Sequence, residues 1–342
     1  MEKIKNKMKL WKKLLIIFLS VLTALCLAFG GFVTYFRLSV KEFYSASEKA
    51  FVIPDLNTGV IPQGFEYDKT NNYFIMSADM KGDSASPLYL IDKATGEVVK
   101  RVTFKTDEDK VFDGHFSGVA LFGDFLYVAN GKSMLVYSYK SILNATDGGV
   151  VDCLGKVSLF KSDSDYLKVS FISVNGSKLY AGEYHSDKGY ATLDSHKFTT
   201  PSGDFNTAIM LEFQLNSSYA LGIDNTPLKA YSIPSKVQGV YVTNNNFYLS
   251  TSYGINFSHV LEYNRNTLGS IDNAKFLGTA VPVSTLDSSC LTNDYKLPPM
   301  SEEIVVIDNA LYTMNESAST KYIFGKFIGG KWCYKTDLSK LS

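Results

Sequence analysis

The stretch KVQGVYVTNNNFYLSTSYGINFSHVLEYN, residues 236–264, sets the pattern that the rest of the chain repeats. Apolar and polar residues alternate over 238–242, three asparagines at 244–246 interrupt them, and alternation resumes over 247–250 and 260–263. Alternation with a period of two is typical of half-buried strands, and Asn-rich interruptions are typical of tight turns. The stretch therefore predicts three short strands joined by turns.

The same pattern occurs four more times between residues 60 and 336. Each copy has an opening strand, a polar turn, a second strand with an aromatic residue in its second place, and two further strands. The opening strands begin at or beside Gln63, Ser117, Phe171, Gln238 and Glu302. Four strands per repeat is the pattern of a propeller blade. We predict an all-β, five-bladed β-propeller; the alternative has six blades, with residues 51–56 contributing to a split blade.

Two long insertions are expected on one face of this propeller. In a propeller blade, the loops before the first strand and after the second strand share a face. Residues 184–206, after a second strand, and residues 286–300, before a first strand, would both lie there. We assign residues 276–281 and 332–335 as the fourth strands of the last two repeats, and residues 322–324 as a third strand. Binding residues are most common on such loops of a rigid scaffold.

The N-terminus carries a membrane signal. Residues 14–36 contain no charged side chain. As a helix, this segment is long enough to cross a hydrocarbon core of about 30 Å. Six lysines and one glutamate precede this segment, an excess that favours the cytoplasmic side. We predict a cytoplasmic basic tip (1–13), a transmembrane signal anchor (14–36), a stalk leading into the domain (37–59) and an extracytoplasmic propeller (60–342). A cleaved signal peptide, which would leave a secreted protein, is the alternative.

Charge and cysteine content exclude some classes of protein. The chain has 34 basic and 34 acidic residues, so the lysine-rich tip leaves an acidic excess in the remainder. This argues against nucleic acid as a partner, because phosphates require a dense basic surface. The cysteines form no C-x-x-C pair, so no zinc or thioredoxin-like motif is indicated. The plainer interpretation of the remaining cysteines is buried thiols; an oxidising compartment would allow one bridge, for which Cys290 and Cys333 are the candidates.

Residues 60–64 (VIPQG) and 124–130 (DFLYVAN) resemble the repeats of secreted bacterial β-propellers of the TolB-like and YVTN-like superfamily. The resemblance spans about residues 60–336. Its motifs are structural rather than catalytic. It therefore implies a propeller fold and no particular reaction, since many functions use this fold.

Polar residues recur where the second strands end and the first strands begin, which predicts a polar ring at one mouth of the channel. The expected ligand-binding residues are Gln63, Asn130, Glu183, Tyr184, Gln238, Tyr253, Glu302, Asn315 and Glu316. Four of them, Asn130, Glu183, Asn315 and Glu316, have side-chain oxygens of the kind that bind calcium, which would then be the cofactor. The plainer interpretation is that these side chains cap strands and line a solvated channel.

Histidines near the same face give a catalytic hypothesis. His115 or His185, with Glu183 nearby, would act as the general base of a hydrolase. The sequence has no G-x-S-x-G or H-E-x-x-H motif to support a specific partner.

Recognition of a ligand is the leading hypothesis for function. The ligand would be a carbohydrate, a peptide or an envelope partner, with Tyr184, Tyr190 and Tyr253 as stacking surfaces. A metal-dependent hydrolase or lactonase with a calcium-type site is the first alternative. A scaffold that binds partner proteins is the second.

Overall fold

The computed structural model describes residues 2–82 and 84–341, and side chains from Lys9 onward. The side chains of residues 1–8, part of the predicted basic tip, lie outside this description. Two compact units divide at residues 41 and 42. The first consists largely of one helix, α1 (Glu2–Leu38), whose segment Lys9–Leu38 is long and apolar enough to cross a membrane. A short helix, α2 (Lys41–Ser45), precedes the first strand, β1 (Ser47–Val52).

The first three blades follow in chain order. Blade 1 contains β2 (Val60–Asp68), β3 (Tyr73–Met80), β4 (Leu88–Asp92) and β5 (Val98–Phe104). Blade 2 contains β6 (Val119–Phe122), β7 (Phe125–Asn130), β8 (Ser133–Ser138) and, after α3 (Tyr139–Asn144) and β9 (Val150–Val151), β10 (Gly155–Ser158). A ribbon of β11 (Phe160–Ser162) and β12 (Asp165–Tyr166) leads to blade 3. Blade 3 contains β13 (Val169–Asn175), β14 (Lys178–Glu183), the inserted ribbon β15 (Phe198–Thr199) and β16 (Phe205–Asn206), then β17 (Ala208–Leu215) and β18 (Ile223–Ile233).

The last two blades complete the described chain. Blade 4 contains β19 (Val237–Val242), β20 (Asn246–Thr251), β21 (Ser258–Asn264) and, after the hairpin β22 (Gly269–Phe276) and β23 (Thr279–Thr285), β24 (Leu291–Leu297). Blade 5 contains β25 (Ser301–Ile307), β26 (Ala310–Asn315) and, after α4 (Gly325–Ile328), β27 (Trp332–Asp337). Single 3-10 turns lie at Asp194–His196, Arg265–Thr267, Glu316–Ala318 and Leu338–Lys340.

The innermost strands close into a ring. Along the described chain, β2 packs beside β6, β6 beside β13, β13 beside β19, β19 beside β25, and β25 returns to β2. Each blade then extends outward through antiparallel neighbours. This arrangement confirms the predicted five-bladed propeller.

The ring is closed by a strand from the other end of the domain. β1 pairs antiparallel with β27 and is the outermost strand of blade 5, so part of the predicted stalk belongs to a blade. A split blade does exist, but within a ring of five. The predicted strand at 322–324 is wrong, because the third strand of blade 5 is β27 and the chain before it forms turns and α4.

The outer strand of blade 4 also differs from the prediction. Residues 276–281 lie in the hairpin of β22 and β23, and β23 pairs in parallel with β18 on the outer edge of blade 3. The true outer strand is β24, inside the stretch predicted as an insertion. The hairpin alternates well enough to pass for a blade strand, and the sheet it joins is set by packing that local pattern does not encode.

Glu303 holds four of the five described blades together at the centre of the ring. It belongs to β25, and its carboxylate accepts backbone N–H groups from Phe65 (2.7 Å), Val119 (3.2 Å) and Ile172 (3.2 Å). Burial raises the pKa of Glu303 well above its usual range, while these donors act in the opposite direction. One side chain thus bonds the innermost strands of blades 1, 2 and 3 to blade 5.

The glycines that open the strand repeats allow this close packing. A Cβ on Gly239 would lie 2.5 Å from the Cα of Glu303, and one on Gly118 would lie 2.6 Å from the Cα of Phe171. No larger residue fits without moving the backbone of a neighbouring blade. The recurring Gln-Gly and Ser-Gly dipeptides are therefore a consequence of inner strands meeting at the axis.

Apolar side chains fill the spaces between blades. The cluster between blades 5 and 1 includes Phe51, Phe65, Phe74 and Tyr312, all buried. Cys333 lies in this cluster and Cys290 in the one between blades 3 and 4, both as free thiols. The candidate disulfide between them is therefore wrong, because the two residues pack into different cores.

Candidate functional site

A cavity of about 510 Å³ opens on the predicted loop-rich face of the propeller. Its volume is in the range of small-molecule sites in proteins. All five described blades contribute polar or aromatic side chains to it. These are Gln63 from blade 1, His115, Ser117 and Asn130 from blade 2, Lys168, Ser170, Tyr184 and Tyr190 from blade 3, Gln238, Ser252 and Tyr253 from blade 4, and Glu302, Glu316, Lys321 and Tyr322 from blade 5.

Strand ends place these side chains. Gln63, Gln238 and Glu302 lie near the beginnings of the innermost strands β2, β19 and β25. Asn130 ends β7, and Tyr184 directly follows β14. Because the innermost strands form a ring, residues far apart in sequence meet at one end of its axis.

Seven of the nine predicted ligand-binding residues line this cavity. They are Gln63, Asn130, Tyr184, Gln238, Tyr253, Glu302 and Glu316. Glu183 and Asn315 do not line it, although each precedes a residue that does. Period-two geometry explains this, since neighbouring positions at a strand end point in opposite directions.

Tyrosines and lysines form one part of the wall. The rings of Tyr184 and Tyr190 meet edge to face with centroids 5.5 Å apart. Lys168 Nζ lies 5.4 Å from the centre of the Tyr190 ring, and Lys321 Nζ lies 5.3 Å from that of Tyr322. Burial raises the pKa of Tyr184 to about 12, so its hydroxyl stays neutral. The wall offers aromatic faces and two ammonium groups.

Two glutamates form another part of the wall. Glu302 is 3% exposed, and Gln238 Nε2 donates to it across 3.4 Å. Burial raises the pKa of Glu302 well above its usual range, and the charge of Glu316 adds to this. Burial also raises the pKa of Glu316, while the neighbouring Tyr322 hydroxyl acts in the opposite direction. Two desolvated carboxyls therefore face the same cavity.

His115 lies in the cavity, but without the predicted partner. Burial lowers the pKa of His115, and Lys321 and Lys168 lower it further, against an opposite effect of Asp79. The imidazole is therefore neutral near pH 7, which makes it a hydrogen-bonding group of the wall.

Glu183 and His185 belong to a separate structural cluster. Glu183 Oε1 lies 2.8 Å from His196 Nδ1 and accepts the Ile209 N–H, and both Glu183 and His196 are 2% exposed. His185 is buried and contacts Thr192 (2.9 Å) and Asp187 (3.2 Å) within the insertion. The predicted pairing of Glu183 with His185 or His115 is therefore not formed. Glu183 and His196 instead anchor the insertion that carries Tyr190.

The four residues predicted to bind calcium do not converge. Asn130 and Glu316 line the cavity, whereas Glu183 bonds to His196 and Asn315 Nδ2 donates to the carbonyls of Pro298 and Pro299. Among residues 9–82 and 84–341, no group of three or more His, Cys, Asp or Glu is arranged to hold a metal ion. The predicted set is thus divided between the cavity wall and the blade interior.

Lys168, Lys321 and Tyr322 are among the cavity residues that were not identified from the sequence. Lys168 immediately precedes β13, the first strand of blade 3. Residues before a first strand are expected on the loop-rich face, so Lys168 could have been predicted there. Lys321 and Tyr322 belong to the connection between β26 and β27, part of which, residues 322–324, we predicted as a strand. Gly325, Gly329 and Gly330 in that connection interrupt the strand pattern and were the available signal.

Comparison with solved structures finds β-propeller proteins of low sequence identity. Glutaminyl cyclase of Myxococcus xanthus has a TM-score of 0.42 and 12% identity, over 85% of this chain and 94% of that one. The calcium-binding protein regucalcin of Agrobacterium tumefaciens has a TM-score of 0.43 and 10% identity, over 84% and 93%. BamB of Moraxella catarrhalis has a TM-score of 0.31 and 10% identity, over 76% and 83%.

No protein-family model and no curated protein sequence matches the chain. At these TM-scores and identities, the structural likenesses carry no information about a ligand or a reaction.

Proposed function

We propose that this chain is a membrane-anchored, extracytoplasmic β-propeller that binds a small polar ligand, a carbohydrate or a peptide, in the cavity on its loop-rich face. One observation carries the proposal: side chains from all five described blades meet in this cavity. The cavity combines aromatic faces with amides, hydroxyls and charged groups, the mixture that small-molecule sites use for affinity and orientation.

The anchor is the second part of the proposal. It is supported by the length and apolar character of the segment Lys9–Leu38 and by the lysines that precede residue 14. An excess of basic residues on one side of a span keeps that side in the cytoplasm. The propeller would then lie outside the cytoplasm, where carbohydrate and peptide ligands of the envelope occur.

Kinship with TolB-like and YVTN-like propellers is part of the same proposal. Its support is the similarity of residues 60–64 and 124–130 to their repeats. A profile built from close relatives of this chain tests it: the proposal predicts that the profile aligns to that superfamily with blades in register, and an alignment only to other propeller groups would reject it.

A binding experiment tests the ligand. The full chain, purified in detergent, is titrated with neutral oligosaccharides and with short peptides, and both calorimetry and the melting temperature are recorded. A ligand of the native state raises the melting temperature in proportion to its occupancy. The expected result is saturable binding of a compound from one of these classes.

A blocking variant identifies the cavity as the site. Asn130→Trp places a large ring in the cavity wall and is expected to reduce binding by at least tenfold. Asn245→Trp is the matched control, because Asn245 is exposed in the turn between β19 and β20, away from the cavity-lining residues. Equal loss in both variants, or no binding by the wild type, would reject the proposal.

A further inference from the structure

Glu302 has fewer hydrogen-bond donors than the buried glutamates Glu183, Glu262 and Glu303. Glu262 accepts hydrogen bonds from Asn246, Tyr248, Asn293 and Tyr295 at 2.6 to 2.9 Å. Glu303 accepts three backbone N–H groups, and Glu183 has His196 and the Ile209 N–H. Glu302, at 3% exposure, has only the long bond from Gln238 within the described residues.

The unused hydrogen-bonding capacity of Glu302 lies at the cavity wall. Buried polar groups are almost always hydrogen-bonded, so one with spare acceptor capacity at a cavity wall marks a place for a ligand donor. Glu316 lies on the same wall and raises the cost of any charge on Glu302. A cation in this position would interact favourably with both carboxyls and compensate for the burial of Glu302.

The same cavity has positive groups as well. Lys168 and Lys321 line it, and neither makes an ion pair within 4 Å among the described side chains. Both ammonium groups lie close enough to His115 to lower its pKa. An acidic group of a ligand would find two ammonium groups there that are not engaged in close ion pairs, although the charge of Lys321 already lowers the pKa of Glu302 and Glu316.

We infer that the ligand is a small zwitterion: a short peptide with free ends or an amino acid, whose ammonium group binds Glu302 and Glu316 and whose carboxylate binds Lys168 and Lys321. This inference rests on the proposed ligand-binding function and adds the chemical class. The wall carries two carboxyls and two lysines, and a zwitterion offers an opposite charge to each pair, whereas a neutral sugar would form no ion pair with any of the four.

Tyr184 is the aromatic surface next to the carboxyl group. Tyr184 and Glu302 line the same cavity, and the charge of Glu302 contributes to the raised pKa of Tyr184. No lysine lies over the Tyr184 ring in the described structure, unlike the rings of Tyr190, Tyr253 and Tyr322. An ammonium group between Glu302 and this ring would gain a cation–π contact as well as an ion pair.

Four probes of graded charge test the inference on the wild-type chain by calorimetry. They are trialanine, N-acetyl-trialanine, trialanine amide and cellobiose. Trialanine carries both charges, each capped peptide lacks one, and the sugar carries none. Because a hydrogen bond to a charged group contributes strongly to affinity, each cap is expected to weaken binding by about tenfold or more.

Variants test which cavity residues bind the ammonium group of the ligand and which bind its carboxylate. Glu302→Gln keeps the shape and should remove the difference between trialanine and its N-acetyl form, while preserving the difference from the amide. Lys321→Met should do the reverse. Glu97→Gln and Lys161→Met, exposed and outside the cavity, are the matched controls and should behave as wild type. Glu316→Gln replaces Glu302→Gln if the latter does not fold.

The outcomes separate this inference from the proposed function. The inference is supported if trialanine binds more tightly than both capped forms, if Glu302→Gln removes only the preference over the N-acetyl form, and if Lys321→Met removes only the preference over the amide. Binding of cellobiose but of none of the peptides would overturn it and leave the proposed function intact. Equal affinity for all three peptides would overturn it too. Failure of every probe and every ligand class in the wider panel would reject both.

Discussion

At the scale of single residues, the Glu303 carboxylate supplies hydrogen-bond acceptors that the innermost strands of neighbouring blades do not supply to one another. The innermost strands of neighbouring blades are not bonded to one another as a continuous sheet, so their backbone N–H groups at the axis need another acceptor. Glu303 supplies it to Phe65, Val119 and Ile172. Glu303 therefore links the blades through hydrogen bonds and does not line the cavity.

Glu303→Gln is expected to destabilise the protein by about 1–3 kcal/mol, because one acceptor oxygen becomes an NH₂ group that faces backbone donors. The shift of the denaturant midpoint measures this. Glu97→Gln, at an exposed position between β4 and β5, is the control and should change stability little. Equal stability of both variants would contradict the role assigned to Glu303.

Glu66 predicts a dependence of stability on pH. Dense packing around its carboxyl raises the pKa from an ordinary 4.5 to about 7. The folded state therefore holds the proton more tightly than the unfolded state. The resulting stabilisation is complete below about pH 4.5 and is lost as the pH rises through about 7.

Glu66→Gln removes this titration. Relative to the wild type, the variant should gain on the order of 1–3 kcal/mol between pH 5 and pH 8. Chemical denaturation of both proteins at several pH values gives this difference, in which the other titrating groups cancel. Parallel pH profiles for the two proteins would show that Glu66 titrates normally.

At the scale of elements, β1 has two functions in one strand. Its backbone pairs with β27 to complete blade 5, while Phe51 packs against Phe65 and Phe74 of blade 1, with ring centroids 6.2 and 5.5 Å apart. The strand thus joins the last blade to the first, the place where a ring built from a linear chain must be closed.

Phe51→Ala should cost about 3–5 kcal/mol, as expected for a large aromatic residue removed from a packed core. Phe51 is 3% exposed, whereas Phe160, at 41%, provides a matched Phe→Ala control with a small effect. Thermal or denaturant unfolding of both variants measures the difference. A loss in Phe51→Ala no larger than that in Phe160→Ala would argue against closure by β1.

At the scale of the whole molecule, the segment Lys9–Leu38 is long and apolar enough to cross a membrane. If it is a retained anchor, the chain should stay in the membrane fraction after carbonate extraction, with its N-terminus intact by mass spectrometry. Deleting residues 9–38 should move it to the soluble fraction. A mature chain that begins beyond residue 26 and is found in the medium would instead identify a cleaved signal peptide.

The sequence alone determined the first two strands of each blade, the number of repeats and the face on which polar side chains gather. These follow from period-two alternation and turn residues, which act over a few positions. Gln63, Asn130 and Gln238 were identified as cavity residues in this way, because strand ends can be read locally. The same reasoning failed for Glu183 and Asn315, since a shift of one position at a strand end reverses the direction of a side chain.

Only the tertiary structure decided which distant segments meet. The pairing of β1 with β27, the transfer of the β22–β23 hairpin to blade 3, and the separation of Cys290 from Cys333 all depend on contacts between residues far apart in the chain. The role of Glu303, and the spare capacity of Glu302 beside it, depend likewise on which backbone groups and side chains surround each carboxyl. Local pattern contains no information about such partners, because burial and hydrogen bonding there are properties of the closed ring.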